Sequence, residues 1–148
     1  MLYNNNNKYK CWDQTCIRQS GRKTIMKKLS DAELEIMRIL WKCKEPCTSN
    51  QILREMGDKR NWKLASLMTV LARMVEKGAV CCDRSTRTNY YSAIVSEEQY
   101  KLMEGESILE RLYDKSVKNL IACLYQGQKM SKENIQELRE YLDKLEGK

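Results

Sequence analysis

Any chemistry in this chain proceeds without histidine. The 148 residues contain none, which removes the side chain that titrates near neutral pH and the commonest metal ligand. Ser–His and Cys–His nucleophilic pairs are excluded with it. Seven cysteines are present, at positions Cys11, Cys16, Cys43, Cys47, Cys81, Cys82 and Cys123. Cys43-x3-Cys47 and Cys11-x4-Cys16 suggest zinc, but structural zinc takes a CxxC-type pair matched by a second pair or by histidines. The odd count and uneven spacing predict reduced thiols, most of them small buried hydrophobes. Cys81 and Cys82, adjacent in an extended segment, point to opposite faces, one buried and one open. No paired carboxylates stand in an apolar setting, and there is no glycine-rich phosphate loop. The expectation is no enzyme, no cofactor and no metal.

The remaining chemistry is non-covalent. Ser66, Thr69 and Arg73 recur at three- and four-residue intervals. At 100° per residue they fall within about 60° of arc on a helix. Leu64, Leu67, Met68, Leu71, Met74 and Val75 gather on the other side as an apolar face. Hydroxyls and a guanidinium in a row can bond base edges and phosphates. Lys63 and Arg73 suit phosphate contacts, and Ser66 and Thr69 suit base edges. Arg84 and Arg87 follow in a short polar segment and suit phosphates or a minor groove. Trp41 and Trp62 read as packing residues.

The elements that position these residues are legible from their caps. Ser30-Asp-Ala-Glu33 is a capping box with Leu29 and Leu34 at its staple positions, and it opens a first helix that runs to about Lys42. Thr48-Ser-Asn-Gln51 opens a short second helix, about 49–56, and Gly57 suits its C-terminal cap. A brief extended piece near Cys47 would link the two. The third helix is expected from near Asn61-Trp62 to just before Gly78. Ala79–Asp83 and Thr88–Ser92, with a polar loop between them, read as a β-hairpin. Three helices and a hairpin in this order describe a winged helix-turn-helix, whose third helix enters the DNA major groove.

The last third is helical again. Ser96-Glu-Glu-Gln99 is another capping box, followed by Tyr100, Met103, Leu109, Leu112 and Tyr113, with Gly105 as a candidate bend. Val117, Leu120, Ile121 and Leu124 repeat at helical spacing. Ser131 caps a final helix with Ile135, Leu138, Leu142 and Leu145 at heptad spacing. Three short amphipathic helices close a poor core alone, so their faces predict a second copy of the chain. The fold class is therefore mainly α: a winged helix-turn-helix DNA-binding domain over 29–95 and a small three-helix dimerisation domain over 96–148. The expected seam is Leu109, Leu112, Val117, Leu120, Ile121, Leu124, Ile135, Leu138 and Leu142.

Net charge is +7, and its distribution is uneven. Residues 1–28 hold seven Lys/Arg against one Asp, residues 29–98 eleven against ten, and residues 99–148 nine against nine. Residues 1–28 read as a disordered basic tail, with Met26 as an alternative start. The longest clean apolar run, Leu120 to Tyr125, is six residues, against roughly 20 for a membrane helix. The N-terminus lacks an apolar signal core. A cytoplasmic protein with no membrane insertion is expected.

Leu29-Ser-Asp-Ala-Glu-Leu-Glu-Ile-Met-Arg-Ile-Leu-Trp41 resembles the opening of the penicillinase-repressor and methicillin-resistance-repressor family. So do Trp62…Ser66-x-x-Thr69-x-Leu71-x-Arg73-x-x-x-Lys77-Gly78, Tyr91-Ser92 and Val95-Ser-Glu-Glu. The resemblance spans about residues 27–146. It implies a cytoplasmic homodimeric repressor that binds palindromic double-stranded operator DNA at β-lactamase or, in one branch, copper-transport genes. Thr69 and Arg73 match the family's recognition helix, Ser66 stands for its usual Thr, and Arg87 stands for its wing arginine. Trp62-Lys-Leu-Ala-Ser66 and Arg84-Ser-Thr-Arg87 depart from the usual patterns and put the family's operator sequence in doubt. The C-terminus lacks the copper branch's CxC cluster. In the β-lactam branch a membrane sensor-protease pathway ends in cleavage of an Asn-Phe bond. Alignment on Tyr113 puts Ser107-Ile108 at that bond, so the resemblance implies no cut here. Two other readings stay open: a thiol- or metal-responsive repressor, and a non-DNA-binding adaptor on the same fold.

Overall fold

A computed structural model of the chain describes residues 27–147; the expected basic tail lies almost wholly outside them. Helix α1 (Asp31–Lys42) starts where its capping box dictates. The Ser30 hydroxyl accepts from the Glu33 amide at 3.3 Å, and the Glu33 carboxylate accepts from the Ser30 amide at 2.9 Å. Strand β1 (Cys47–Thr48) leads into α2 (Ser49–Met56), capped in the same way by Thr48 and Gln51. Gly57, at φ 61°, then turns the chain into a 3-10 turn, Gly57–Arg60, and Asn61 is left-handed at φ 49°. Helix α3 (Leu64–Glu76) begins only after this turn. The expectation of a start near Asn61-Trp62 is corrected: the turn ends at Arg60, Asn61 is its left-handed cap, and Lys63 is the N-cap of α3, without a side-chain capping bond.

Strands β2 (Val80–Asp83) and β3 (Tyr90–Ala93) form the hairpin. The sheet order is β1-β3-β2, antiparallel throughout, with Cys82 opposite Tyr91 and Tyr91 opposite Cys47. The core gathers Ile36, Met37 and Leu40 from α1, Ile52 from α2, and Leu67, Leu71 and Met74 from α3, closed by Val80 and Tyr91. Each such side chain contributes about 1.5–3 kcal/mol on burial. Leu64 and Met68 depart from the expected apolar face, at 40% and 37% exposed. The buried seam of α3 is Leu67, Leu71 and Met74.

This first compact unit extends to Tyr100. Tyr100 lies in the helical region by sequence, yet it packs in the first unit's core. Its hydroxyl accepts from the Leu29 amide at 3.2 Å, and its ring lies 5.9 Å from that of Trp41.

The second unit begins at Lys101. It holds most of α4 (Glu97–Tyr113), then α5 (Val117–Gln126) and α6 (Lys132–Leu145). α4 runs through Gly105 without a break. Asp114 and Lys115 take positive φ and end α4. Ser116 caps α5, and Ser131 and Asn134 form a capping box for α6. No described residue from 101 onward is buried. No described helix is long and apolar enough to cross a membrane.

Candidate nucleic-acid interface

The exposed side of α3 and the turn before it form one concave surface of about 830 Å³. Lys63, Ser66, Thr69 and Arg73 all line it, so four of the six residues expected to meet DNA are brought together. Arg60, Asn61, Trp62 and Val70 complete the lining. Arg60 and Asn61 were not legible as neighbours of the helix face. The 3-10 turn and the left-handed Asn61 fold them back beside it. The one available signal was the basic residue itself. The Arg60 guanidinium pairs with Glu35 on α1 at 3.0 Å, which holds it at the rim.

Ser66, Thr69 and Arg73 are exposed. The Thr69 hydroxyl donates to the Ala65 carbonyl at 3.0 Å, one turn back in the same helix. Trp62 is half-buried against the core and anchors the approach to α3. The surface thus presents cations and hydroxyls on a rigid helix, a combination suited to phosphate oxygens and base edges.

Arg84 and Arg87 lie elsewhere, exposed in the loop between β2 and β3. The loop is shaped locally: the Ser85 amide donates to the Asp83 carboxylate at 2.8 Å, and the Thr86 hydroxyl donates to the Thr88 carbonyl at 2.8 Å. The Cys82 thiol beside Arg84 raises the guanidinium's proton affinity further. Cys43, Cys47, Cys82 and Cys123 are thiols. Among the described residues no group of three or more metal-ligating side chains converges.

The position of α3 is fixed by an ion pair that the sequence reading missed. The Lys77 ammonium at the end of α3 donates to both Glu33 oxygens, at 2.8 and 2.7 Å. Glu33 is 3% exposed. Burial pushes its carboxyl up, but hydrogen bonds from Lys77 and Ser30, with the Lys77 charge, outweigh this and hold it below the ordinary range.

The expected seam residues are accessible in the single chain. Leu112 is 64% exposed, Val117 56%, Leu142 48% and Leu124 40%. Leu109, Leu120, Ile121, Ile135 and Leu138 are half-buried.

The chain is similar to curated repressors along most of its length. It is 29% identical to the penicillinase repressor of Bacillus licheniformis over 115 residues, covering 78% of this chain and 89% of that protein. It is 26% identical to the methicillin resistance regulatory protein MecI of Mammaliicoccus sciuri over 116 residues, covering 78% of this chain and 94% of that protein. A solved structure of the Bacillus licheniformis BlaI monomeric form in complex with the blaP half-operator aligns at a TM-score of 0.43 and 29% identity, covering 51% of this chain and 90% of that one. The penicillinase repressor family model matches residues 29–144. That match runs from the residue before the first capping box into the last helix, and the chain belongs to the penicillinase repressor family.

Proposed function

We propose that this chain is a cytoplasmic transcriptional repressor that occupies palindromic operator DNA as a homodimer. The observation that carries this reading is the single concave surface on which Lys63, Ser66, Thr69 and Arg73 meet. The family and the named relatives are repressors rather than enzymes. Helix α3 enters the major groove, with Lys63 and Arg73 on phosphates and Ser66 and Thr69 toward base edges. Arg84 and Arg87 reach the adjoining backbone from the wing. The near-neutral charge of residues 29–148 is compatible with this, because Arg60, Lys63 and Arg73 share the one surface. The relatives' names point to antibiotic-resistance genes as the class of target.

Arg73→Ala is expected to weaken binding to all sequences and to reduce the salt slope by about 1, as for one lost phosphate contact. Thr69→Ala is expected to shift base preference by about 1–3 kcal/mol at one operator position. Salt titrations and footprints of the two variants check this. Wild-type behaviour in both would place DNA on another surface.

Dimerisation rests on the second unit. It buries no residue of its own among those described and exposes leucines on all three helices. A symmetric partner covers such faces at least structural expense.

Induction proceeds without a cut at Ser107-Ile108. That bond lies inside α4, and a protease reaches a helical bond only after local opening. An immunoblot of the tagged protein in its host, before and after β-lactam exposure, is expected to show no fragment beginning at Ile108. Such a fragment, confirmed by N-terminal sequencing, would connect the chain to the membrane sensor-protease pathway through this bond.

A further inference from the structure

Two thiols approach each other closely on the side of the first unit where α1 ends. The Cys47 Sγ lies 2.6 Å from the Cys43 Sγ, against about 2.05 Å for a disulfide bond. Cys43 is the C-cap of α1 and Cys47 opens β1, so Lys44, Glu45 and Pro46 form a closed loop between them. Both sulfurs line an open cavity of about 440 Å³, with Lys42, Arg54 and Glu55 among its other walls. No third metal-ligating side chain converges there among the described residues, which argues against a tetrahedral metal and for chemistry between the two sulfurs themselves.

We propose that Cys43 and Cys47 are a reversible redox site that forms a disulfide by exchange with a low-molecular-weight disulfide. Cys43 is half-buried and Cys47 buried, so the first attack belongs to Cys43. Its thiolate displaces one thiolate from the small disulfide and leaves a mixed disulfide on the Cys43 Sγ. Cys47 then loses its proton to solvent and attacks that sulfur, expelling the second small thiolate. The protein gives up two thiol hydrogens, and the small disulfide becomes two thiols. Burial, the Cys43 sulfur and the Glu55 charge push Cys47 up to about 12, and capping Cys43 relieves the part that Cys43 supplies. Lys42 and Arg54 at the cavity wall suit an oxidant that carries carboxylates, such as glutathione disulfide.

The bond would fasten the end of α1 to the strand whose Thr48 caps α2 and whose Cys47 lies opposite Tyr91 of the hairpin. The proposal is independent of the DNA-binding reading, because its readout is covalent. The full chain is incubated with glutathione disulfide, alkylated, and digested with trypsin. Cleavage after Lys42, Lys44 and Arg54 puts the two cysteines on separate peptides, 43–44 and 45–54. A linked 43–44/45–54 peptide that disappears on reduction is the expected result. Cys47→Ser is expected to stop at glutathione on Cys43, and Cys43→Ser is expected to leave Cys47 largely unmodified. Should Cys47→Ser fold poorly, Cys47→Ala gives the same trapped adduct. Full alkylation of both thiols after oxidant treatment would overturn the proposal. So would linkage of either cysteine to a different one.

Discussion

Replacing Lys77 with methionine is expected to destabilise the first unit by about 3 kcal/mol at neutral pH. Glu33 is buried and takes hydrogen bonds from Lys77 through both oxygens. Methionine fills similar space but leaves the carboxylate with the hydrogen bond from the Ser30 amide and no cation. Breaking one side of a buried pair costs about 3–5 kcal/mol, and the lower figure suits a lysine that is 26% exposed. In a unit of this size the loss corresponds to more than about 10 °C in melting midpoint. The pH dependence has a definite sign. The folded-state pKa of Glu33 lies below its ordinary value, so the pair's contribution is complete above the unfolded carboxylate pKa of about 4.3. It is lost as pH falls through the folded value. The gap between wild type and variant is therefore full at pH 7 and narrows in acid below about pH 4. Urea titrations at both pH values measure it. The double variant Glu33→Gln/Lys77→Met is expected to recover part of the loss, since no charge is then left buried. A single variant as stable as wild type at pH 7 would remove the pair from the forces that hold α3.

Leu138→Glu combined with Leu142→Glu is expected to give monomers and to lower operator affinity by about 100-fold or more. The double change places two carboxylates on a helix where Leu138 is half-buried and Leu142 48% exposed in the single chain. An exposed leucine on an isolated helix tolerates glutamate with little effect, so loss of assembly would report burial against a second chain. Affinity follows assembly, because two linked half-site contacts act as one high-local-concentration event, worth about 10²–10⁴-fold. Sedimentation and operator gel shifts read the two effects separately. An unchanged dimer would place Leu138 and Leu142 outside the seam. A wild-type monomer at micromolar concentration would leave the second unit's apolar faces without the partner proposed for them.

Local signals in the sequence carried much of the fold. Ser30 with Glu33 and Thr48 with Gln51 fix helix starts through bonds spanning three residues, so both are visible in a linear reading. The helical period likewise put Ser66, Thr69 and Arg73 on one face. What stayed hidden depends on residues far apart in sequence. Glu33 and Lys77 are 44 residues apart; the capping box showed Glu33 only as a local cap. Tyr100 reads as the start of an amphipathic helix, and only the tertiary fold brings its hydroxyl to Leu29. The third helix begins late because a 3-10 turn and a left-handed asparagine compete with a helical pattern that otherwise runs on. The same turn places Arg60 and Asn61 beside the exposed face of α3. Cys43 and Cys47 were a spacing that suggested metal, and the structure brings the two sulfurs into contact.

The bond from Thr69 to the Ala65 carbonyl limits what the helix can say to a base. The hydroxyl proton is held inside the helix, so while that bond stands Thr69 faces outward with oxygen lone pairs and a methyl group. Guanine offers only acceptors in the major groove, and two acceptors do not attract. Adenine and cytosine offer exocyclic amino hydrogens, and thymine offers a methyl. If Thr69 meets a base edge as proposed, it discriminates by subtraction, disfavouring one letter of the alphabet more strongly than it selects among the other three. On the proposed reading, guanine recognition from this face would then fall to a hydroxyl with a hydrogen to give, and Ser66 is the base-edge residue that has one.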